Sequence, residues 1–397
     1  MTVFSRPEAP APTAPTAVLD ETLLARIRSR AAAHDADNTF PFDDVTELAE
    51  AGYLRALVPV RFGGLGLSLA QVAAEQSRLA AHAPATALAV NMHLVWTGVA
   101  KAMHDRGDDA LDFVLTEAGQ GAIFGFGVSE PGNDLVLFGS STDAVPQPDG
   151  GYTFTGTKIF TSLSPVWTQL GTMGLDSSDP DRPLIVWAFL DRADPGISRK
   201  DDWDTLGMRA SQSQTTLLEH AHAPADRVVR RLAPGPVNDP LIFGIFATFE
   251  ILLSAVYTGI GQRALELGVE AAKRRRSAKD NGRPLAQDPD IRHRIAEAAL
   301  LQDAAYPQIA ALARDVDTLV DHGPFWFAKL AGLKHRSVES AVEVVNLMLR
   351  VNGGASYFTG DELGRLSRDV LAGLFHPSNA DSAHATVATA WLGPLDG

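Results

Sequence analysis

Cysteine is absent from the 397-residue chain, which excludes disulfides, thiolate metal sites, iron–sulfur clusters and thiol nucleophiles. Basic side chains are outnumbered, 34 Lys and Arg against 48 Asp and Glu, for a formal net charge of −14. That balance, without any Lys/Arg stripe, argues against nucleic acid or an anionic membrane surface as a partner. The first 20 residues, MTVFSRPEAPAPTAPTAVLD, lack the apolar centre of a secretory signal, so a cytoplasmic location is expected. No GxxxxGK[ST] loop occurs, and the glycine-containing stretches 63–66 and 119–127 do not form a strand–GxGxxG–helix unit. The 11 histidines never form HExxH, His220 and His222 read as solvated loop residues, and no metal site is expected.

What remains is globular composition, 45% apolar and 21% charged, at a length that fits two or three domains. One stretch imitates a membrane span. Leu241 to Gly261 carries a single charge, Glu250, in 21 residues, and about 20 suffice to cross a bilayer. Yet Asp239-Pro240 in front of it is an N-cap followed by Pro at the first helical position, and the pattern runs on into QRALELGVEAAKRRR. A buried core helix is expected, and no membrane span.

The texture of the chain changes twice. Residues 1–18 are Ala/Pro/Thr-rich and read as a disordered tail. Residues 19–121 carry helical periodicity, broken by the Gly-rich connector PVRFGGLGLS. Residues 122–236 alternate short apolar runs with Gly, Pro, Asp and Ser clusters, the pattern of strands and hairpins, with Asp149-Gly150-Gly151 at one hairpin tip. Residues 237–397 are helical again, in long segments near 241–277, 288–318 and 324–350, and Thr359 to Glu362 has capping-box spacing for a further helix to about Leu371. The order is therefore α, β, α. The expected class is a multidomain α+β protein with an N-terminal helical domain, a central β-barrel or sandwich-like domain and a C-terminal four-helix bundle.

Four motifs in this order resemble the acyl-CoA dehydrogenase superfamily of flavoenzymes. Phe126-Gly-Val-Ser-Glu-Pro-Gly-Asn-Asp134 is similar to its TEPGxGSD loop, and Gly156-Thr-Lys-Ile-Phe-Thr-Ser162 to GxKxWITN. Trp203-Asp-Thr-Leu-Gly-Met-Arg-Ala-Ser211 is similar to WxxLGMRxS. Asn352-Gly-Gly-Ala-Ser-Tyr357, followed by Arg365-Leu-Ser-Arg-Asp369, is similar to GGxGY followed by RLxRD. The resemblance spans about residues 20 to 392 and implies FAD as cofactor. Phe126, Val128 and Ser129 then line the isoalloxazine edge, Phe160 packs on the ring and the Ser162 hydroxyl meets N5. Arg275 or Arg276 reaches the phosphates, Arg350 takes the place of a Gln near the adenosine half, and Gly353 and Gly354 admit the pyrophosphate. Asn379 completes the candidate flavin contacts. The resemblance also implies a homodimer or homotetramer with flavin sites shared between subunits, and an electron-acceptor flavoprotein or a flavin reductase as a possible partner.

The chain departs from the family at the catalytic base. Dehydrogenation of an acyl thioester needs a carboxylate to take the α-proton while flavin N5 accepts the β-hydride. In many members that Glu lies nine residues after the Arg of RD; here the position is Pro377, preceded by His376. In others it lies on the first C-terminal helix, where Phe249 aligns and Glu250 follows, about 100° further round the helix. Glu250, isolated in apolar sequence, reads either as that base or as a structural ion pair with a neighbouring Arg. Leu135 also replaces the Ser expected near the thioester, which leaves the acyl carrier open. Flavin monooxygenases of the same fold, which use reduced flavin (FMN among them), carry a His eight residues after the Arg, as His376 stands here. They also resemble this chain at Ser162 and at His93 in AVNMHLVW. α,β-Dehydrogenation of an acyl-thioester-like substrate is the expected reaction, with monooxygenation as the alternative.

Overall fold

A computed structural model describes residues 17–395; the expected tail therefore lies, apart from residues 17 and 18, outside the described residues. The N-terminal domain is helical: α1 (Glu21–Asp37), α2 (Phe42–Glu50), α3 (Leu69–His82), α4 (Pro84–His104) and α5 (Asp112–Gly119). Asp20 caps α1 through its side chain, and Ser68 with Gln71 forms a capping box that starts α3. Helix α4 is apolar almost all round because it is buried almost all round, between α3, α6 and the sheet.

Eight strands follow: β1 (Phe124–Gly127), β2 (Asp143–Pro146), β3 (Tyr152–Lys158), β4 (Gln169–Asp176), β5 (Leu184–Asp191), β6 (Ile197–Arg199), β7 (Thr216–Ala223) and β8 (Val228–Leu232). They form a mixed sheet in the order β6-β7-β3-β2-β4-β5-β8, with β1 parallel to β4. The expected hairpin joins β2 to β3 in antiparallel register, Gly150 adopting φ +84° at its tip. His220 and His222, expected in a loop, lie on β7 instead: the bulge between β3 and β7 turns His220 outward at φ 57°, and His222 pairs with Asp149 at 2.9 Å.

The C-terminal domain begins with α6 (Pro240–Arg274), capped by Asp239 with Pro at its first position, then a small hairpin of β9 (Arg276–Ser277) and β10 (Arg283–Pro284). Helices α7 (Pro289–Asp317), α8 (Trp326–Asn352), α9 (Glu362–Asp369) and α10 (Ala380–Leu392) complete it. Helix α6 is long and apolar enough to cross a membrane, but 89% of its most apolar window is buried by α3, α4, α7 and α8. The predicted capping box at Thr359 is shifted: Asp361 caps α9, and Glu362 instead pairs with Arg28 and Arg263. One hydrophobic core runs through all three regions.

Candidate active site

The candidate residues come together where β1, the 159–163 turn and α6 meet. Phe126, on β1, is buried and stacks on Phe249 of α6 with ring centroids 5.9 Å apart. Beside it, Val128 is buried, and the Ser129 carbonyl accepts from Ile159 N at 2.9 Å, tying the SEPG loop to the turn after β3. That turn holds Phe160 at φ 57° with its ring 56% exposed, edge-on to Trp203 at 6.1 Å. A large aromatic held in left-handed backbone and left uncovered is strained and wet, the condition expected of a ring waiting for a planar ligand. Ser162 lies buried just behind, its Oγ 2.7 Å from Ser213 Oγ, which in turn lies 2.9 Å from Ser211 Oγ.

Beneath the SEPG loop is an ion pair that the motifs did not single out. Lys158 Nζ donates to Glu130 Oε1 at 2.5 Å and to the Met173 carbonyl at 2.7 Å, and both side chains are wholly buried. Ser140 and Ser141 donate to the same carboxylate. Burial pushes the Glu130 carboxyl up, but Lys158 and these hydroxyl and amide donors outweigh it and hold it at about 2.

On the helical side, His376 follows α9 on a short loop and its Nε2 lies 2.8 Å from the Tyr257 hydroxyl of α6. Burial, and then the nearby Lys334 ammonium, hold the imidazole neutral, down at about 3. Glu250 follows Phe249 and so lies about 100° further round α6 from the residue that meets Phe126. It is 1% exposed, its Oε1 accepts from Ser378 Oγ, and its Oε2 has no partner among the described residues. Burial raises its carboxyl to about 8, moderated by Ser378 and Lys334. The ion-pair reading of Glu250 is thus modified: its cationic neighbour is Lys334 on α8, not an Arg.

Two candidates have other duties. Both ring nitrogens of His93 are occupied by backbone: Nε2–H donates to the Leu54 carbonyl at 2.6 Å, and Nδ1 accepts from Phe124 N at 3.1 Å. Fully buried, it joins the helical domain to β1 and offers no free nitrogen to a ligand. Asn379 is the N-cap of α10, its Oδ1 accepting from Ser382 N and Ser382 Oγ. The phosphate-side candidates form a separate group. Arg275 donates to the Val351 and Asn352 carbonyls and lies against Gly353, whose φ of +69° suits glycine. Gly354 is exposed with open space above it, and Arg350 and Arg276 are exposed. The 353–357 turn of this group packs on α8 and α9, apart from the eight-stranded sheet, and Arg276 opens β9. An uncovered aromatic face, a hydroxyl behind it, and elsewhere an open glycine edge flanked by arginines fit a flavin ring and a phosphate tail.

Tyr257, Lys334, Ser378 and Ser213 were not legible as site residues; Tyr257 is hidden in apolar helical sequence, and Lys334 stands in the run Lys334-His335-Arg336, where nothing marks it as the buried member.

Comparison with known proteins agrees with this architecture. The N-terminal domain model of acyl-CoA dehydrogenases matches residues 17–110 and the C-terminal domain model matches residues 251–380. The chain belongs to the acyl-CoA dehydrogenase superfamily. Among its relatives is the L-evernosamine nitrososynthase of Micromonospora sp., 29% identical over 89% of this chain and 84% of that protein. The amino sugar nitrososynthase DnmZ of Streptomyces peucetius is also 29% identical, over 90% and 88%. The solved structure of KijD3 with FMN and a dTDP-linked 3-amino sugar is 28% identical, with a TM-score of 0.84 over 96% of this chain and 95% of that one. Butyryl-CoA dehydrogenase of Megasphaera elsdenii shares the fold, with a TM-score of 0.83 at 19% identity over 95% and 98%.

Proposed function

We propose that the protein is a flavin-dependent monooxygenase of this fold. The observation that carries the reading is the occupant of the base position. Pro377 stands there, His376 beside it is a neutral imidazole bonded to Tyr257, and the nearest carboxyl, Glu250, is buried, bonded to Ser378 and largely protonated at neutral pH. A base that must take an α-proton has to be ionised and open to substrate; Glu250 is neither. Reduced flavin, when bound, supplies the two electrons with which one atom of O2 goes to substrate and the other to water. Phe160 offers the ring a face, Ser162 a hydroxyl whose orientation Ser213 fixes, and His376 a neutral hydrogen-bonding edge that neither repels nor protonates prematurely at pH 7. The nitrososynthase relatives support the same chemistry and make an amine-bearing sugar the first substrate class to try. The KijD3 complex supports FMN beside the FAD that the motifs imply.

The test supplies reduced flavin from a reductase and follows O2 uptake, product and hydrogen peroxide with a panel of amino sugars. Coupled uptake is expected in the wild type, and His376→Ala should divert oxygen to free peroxide while flavin still binds. Dehydrogenation is the second reading, favoured by one observation: the unpartnered Oε2 of Glu250 in apolar surroundings. Under it, acyl-CoAs mixed anaerobically with the flavin-loaded protein bleach the flavin, and Glu250→Gln slows that step by about two to four powers of ten. Bleaching by an acyl-CoA that depends on Glu250 would overturn the monooxygenase reading.

A further inference from the structure

The 373–378 loop that carries His376 is poorly held by its own backbone. Pro377 has no N–H, Phe375 is 81% exposed, and Ser378 sits at φ 56°, in left-handed backbone that a non-glycine residue adopts only under constraint. Among the described residues, the only main-chain bond donated from positions 375–378 is the short turn from Phe375 N to the Ala372 carbonyl. Side chains of two helices supply the rest. Lys334 of α8 sends its ammonium to three carbonyls of the loop: Gly373 at 2.8 Å, His376 at 3.2 Å and Ser378 at 3.2 Å. Glu250 of α6 takes the Ser378 hydroxyl, and Tyr257 takes His376. Gly373 lets the loop lie against Tyr257 and Val338, where a Cβ would come within 2.8 Å of each.

Lys334 is 1% exposed; Glu250 and Glu339 act on its charge from nearby, but its hydrogen bonds go to carbonyls and none to a carboxylate among the described residues. A buried lysine without a paired anion is costly. Here its three donors are matched one for one by carbonyls of a single loop, a geometry that fixes that loop's path. We propose that Lys334 is a positioning residue for His376, holding the imidazole against the flavin site by clamping the 373–378 loop through three main-chain carbonyls. This rests on the monooxygenase reading for its consequence, and on the geometry alone for the placement. The titratable groups facing the loop are Lys334 and Glu339 from α8, Glu250 and Tyr257 from α6, and Asp369 at the end of α9.

The experiment uses the full chain with Lys334→Met, and with Lys334→Gln, which drops the charge but keeps a donor and serves where Met prevents folding. Amide exchange at positions 374 and 375, and the His376 ring signals in histidine-labelled protein, are read without flavin. Exchange about tenfold faster in Lys334→Met, as expected for loss of a local hydrogen-bonded constraint, with altered His376 signals and less change in Lys334→Gln, supports the clamp. With reduced flavin, Lys334→Met should also release more peroxide per O2 than the wild type, as His376→Ala does, with flavin affinity kept. Unchanged exchange and ring signals in a folded variant that is merely less stable would overturn the proposal. If the wild type takes up no oxygen with reduced flavin, the monooxygenase reading fails, while exchange and ring signals still decide the role of Lys334.

Discussion

The Tyr257 hydroxyl lies 2.8 Å from His376 Nε2, and the same two elements meet again where Glu250 of α6 takes the Ser378 hydroxyl. Burial, then the Asp369 charge, raises Tyr257 well above its ordinary value, so it remains a phenol across the working pH range. Tyr257→Phe removes the bond and little volume. The expected cost is about 1 kcal/mol in urea unfolding, with a larger share of O2 leaving as peroxide.

His93→Ala separates a structural from a catalytic histidine. It orphans the Leu54 carbonyl and Phe124 N–H and leaves a cavity, so unfolding free energy should fall by roughly 2–4 kcal/mol. Oxygen coupling in the folded fraction should stay that of the wild type. Burial lowers the His93 imidazole to about 4 against the Leu54 carbonyl, which raises it. The unfolded chain therefore binds the extra proton between about 4 and 6.5. Stability contributed here is present above 6.5 and is lost as pH falls through that window, a slope that His93→Ala should flatten.

Glu250 gives the opposite slope. Its folded carboxyl is raised from 4.5 to about 8, so the folded state holds a proton that the unfolded chain has released. Stability from this group is full below 4.5 and falls as pH rises toward 8. Glu250→Gln mimics the protonated form, and its urea midpoint relative to wild type should be more favourable at pH 8 than at pH 5. A constant difference would show that Glu250 keeps its charge throughout.

Lys158→Met tests the pair under the SEPG loop. Removing the cation leaves Glu130 buried with only hydroxyl and amide donors, and the cost should be roughly 3–5 kcal/mol. The double variant Lys158→Met, Glu130→Gln should recover part of it. A loss below about 1 kcal/mol in the single variant would mean that water reaches the carboxylate.

Gly354 is the better probe of the phosphate-side group than Gly353. At Gly353, φ +69° strains any side chain, so a weakened protein would say little about ligand. Gly354 has open space above it. Gly354→Val should keep the fold and Tm and weaken flavin binding by about tenfold or more, read by fluorescence quenching. If FAD and FMN lose affinity equally, the ring-distal half makes no contact there.

Much of this was legible because local patterns and tertiary packing agree. Asp239-Pro240 announced α6 from capping and φ preference alone, and the Gly150 turn announced the β2–β3 hairpin. Apolar sequence over 241–261 fits membrane or core alike; the cap before it and the charged continuation after it pointed to the core, where α6 packs against four helices. The site was legible where a residue's place follows from a motif's backbone, as at Ser129 and Phe160. It was illegible where a side chain acts across helices: Tyr257 reads as filler in an apolar segment, Lys334 as one of three adjacent basic residues, and their partners are 119 and 39 to 44 residues away. At His93 and Asn379 a polar residue at a suggestive position also satisfies backbone groups, and sequence does not show which demand it meets.

Helix α6 carries Phe249 beside the aromatic site and ends where Arg275 meets Gly353. At 1.5 Å per residue these points stand about 39 Å apart on one stiff rod, farther than a single flavin dinucleotide stretches. A flavin ring seated beside Phe249 is therefore out of reach of its own chain's Arg275. If that arginine grips a flavin phosphate, we infer that the flavin belongs to another copy and that the loan is returned. Retention of cofactor is then expected to depend on protein concentration: dilution that parts such copies should loosen the flavin as well, and added flavin should pull them together.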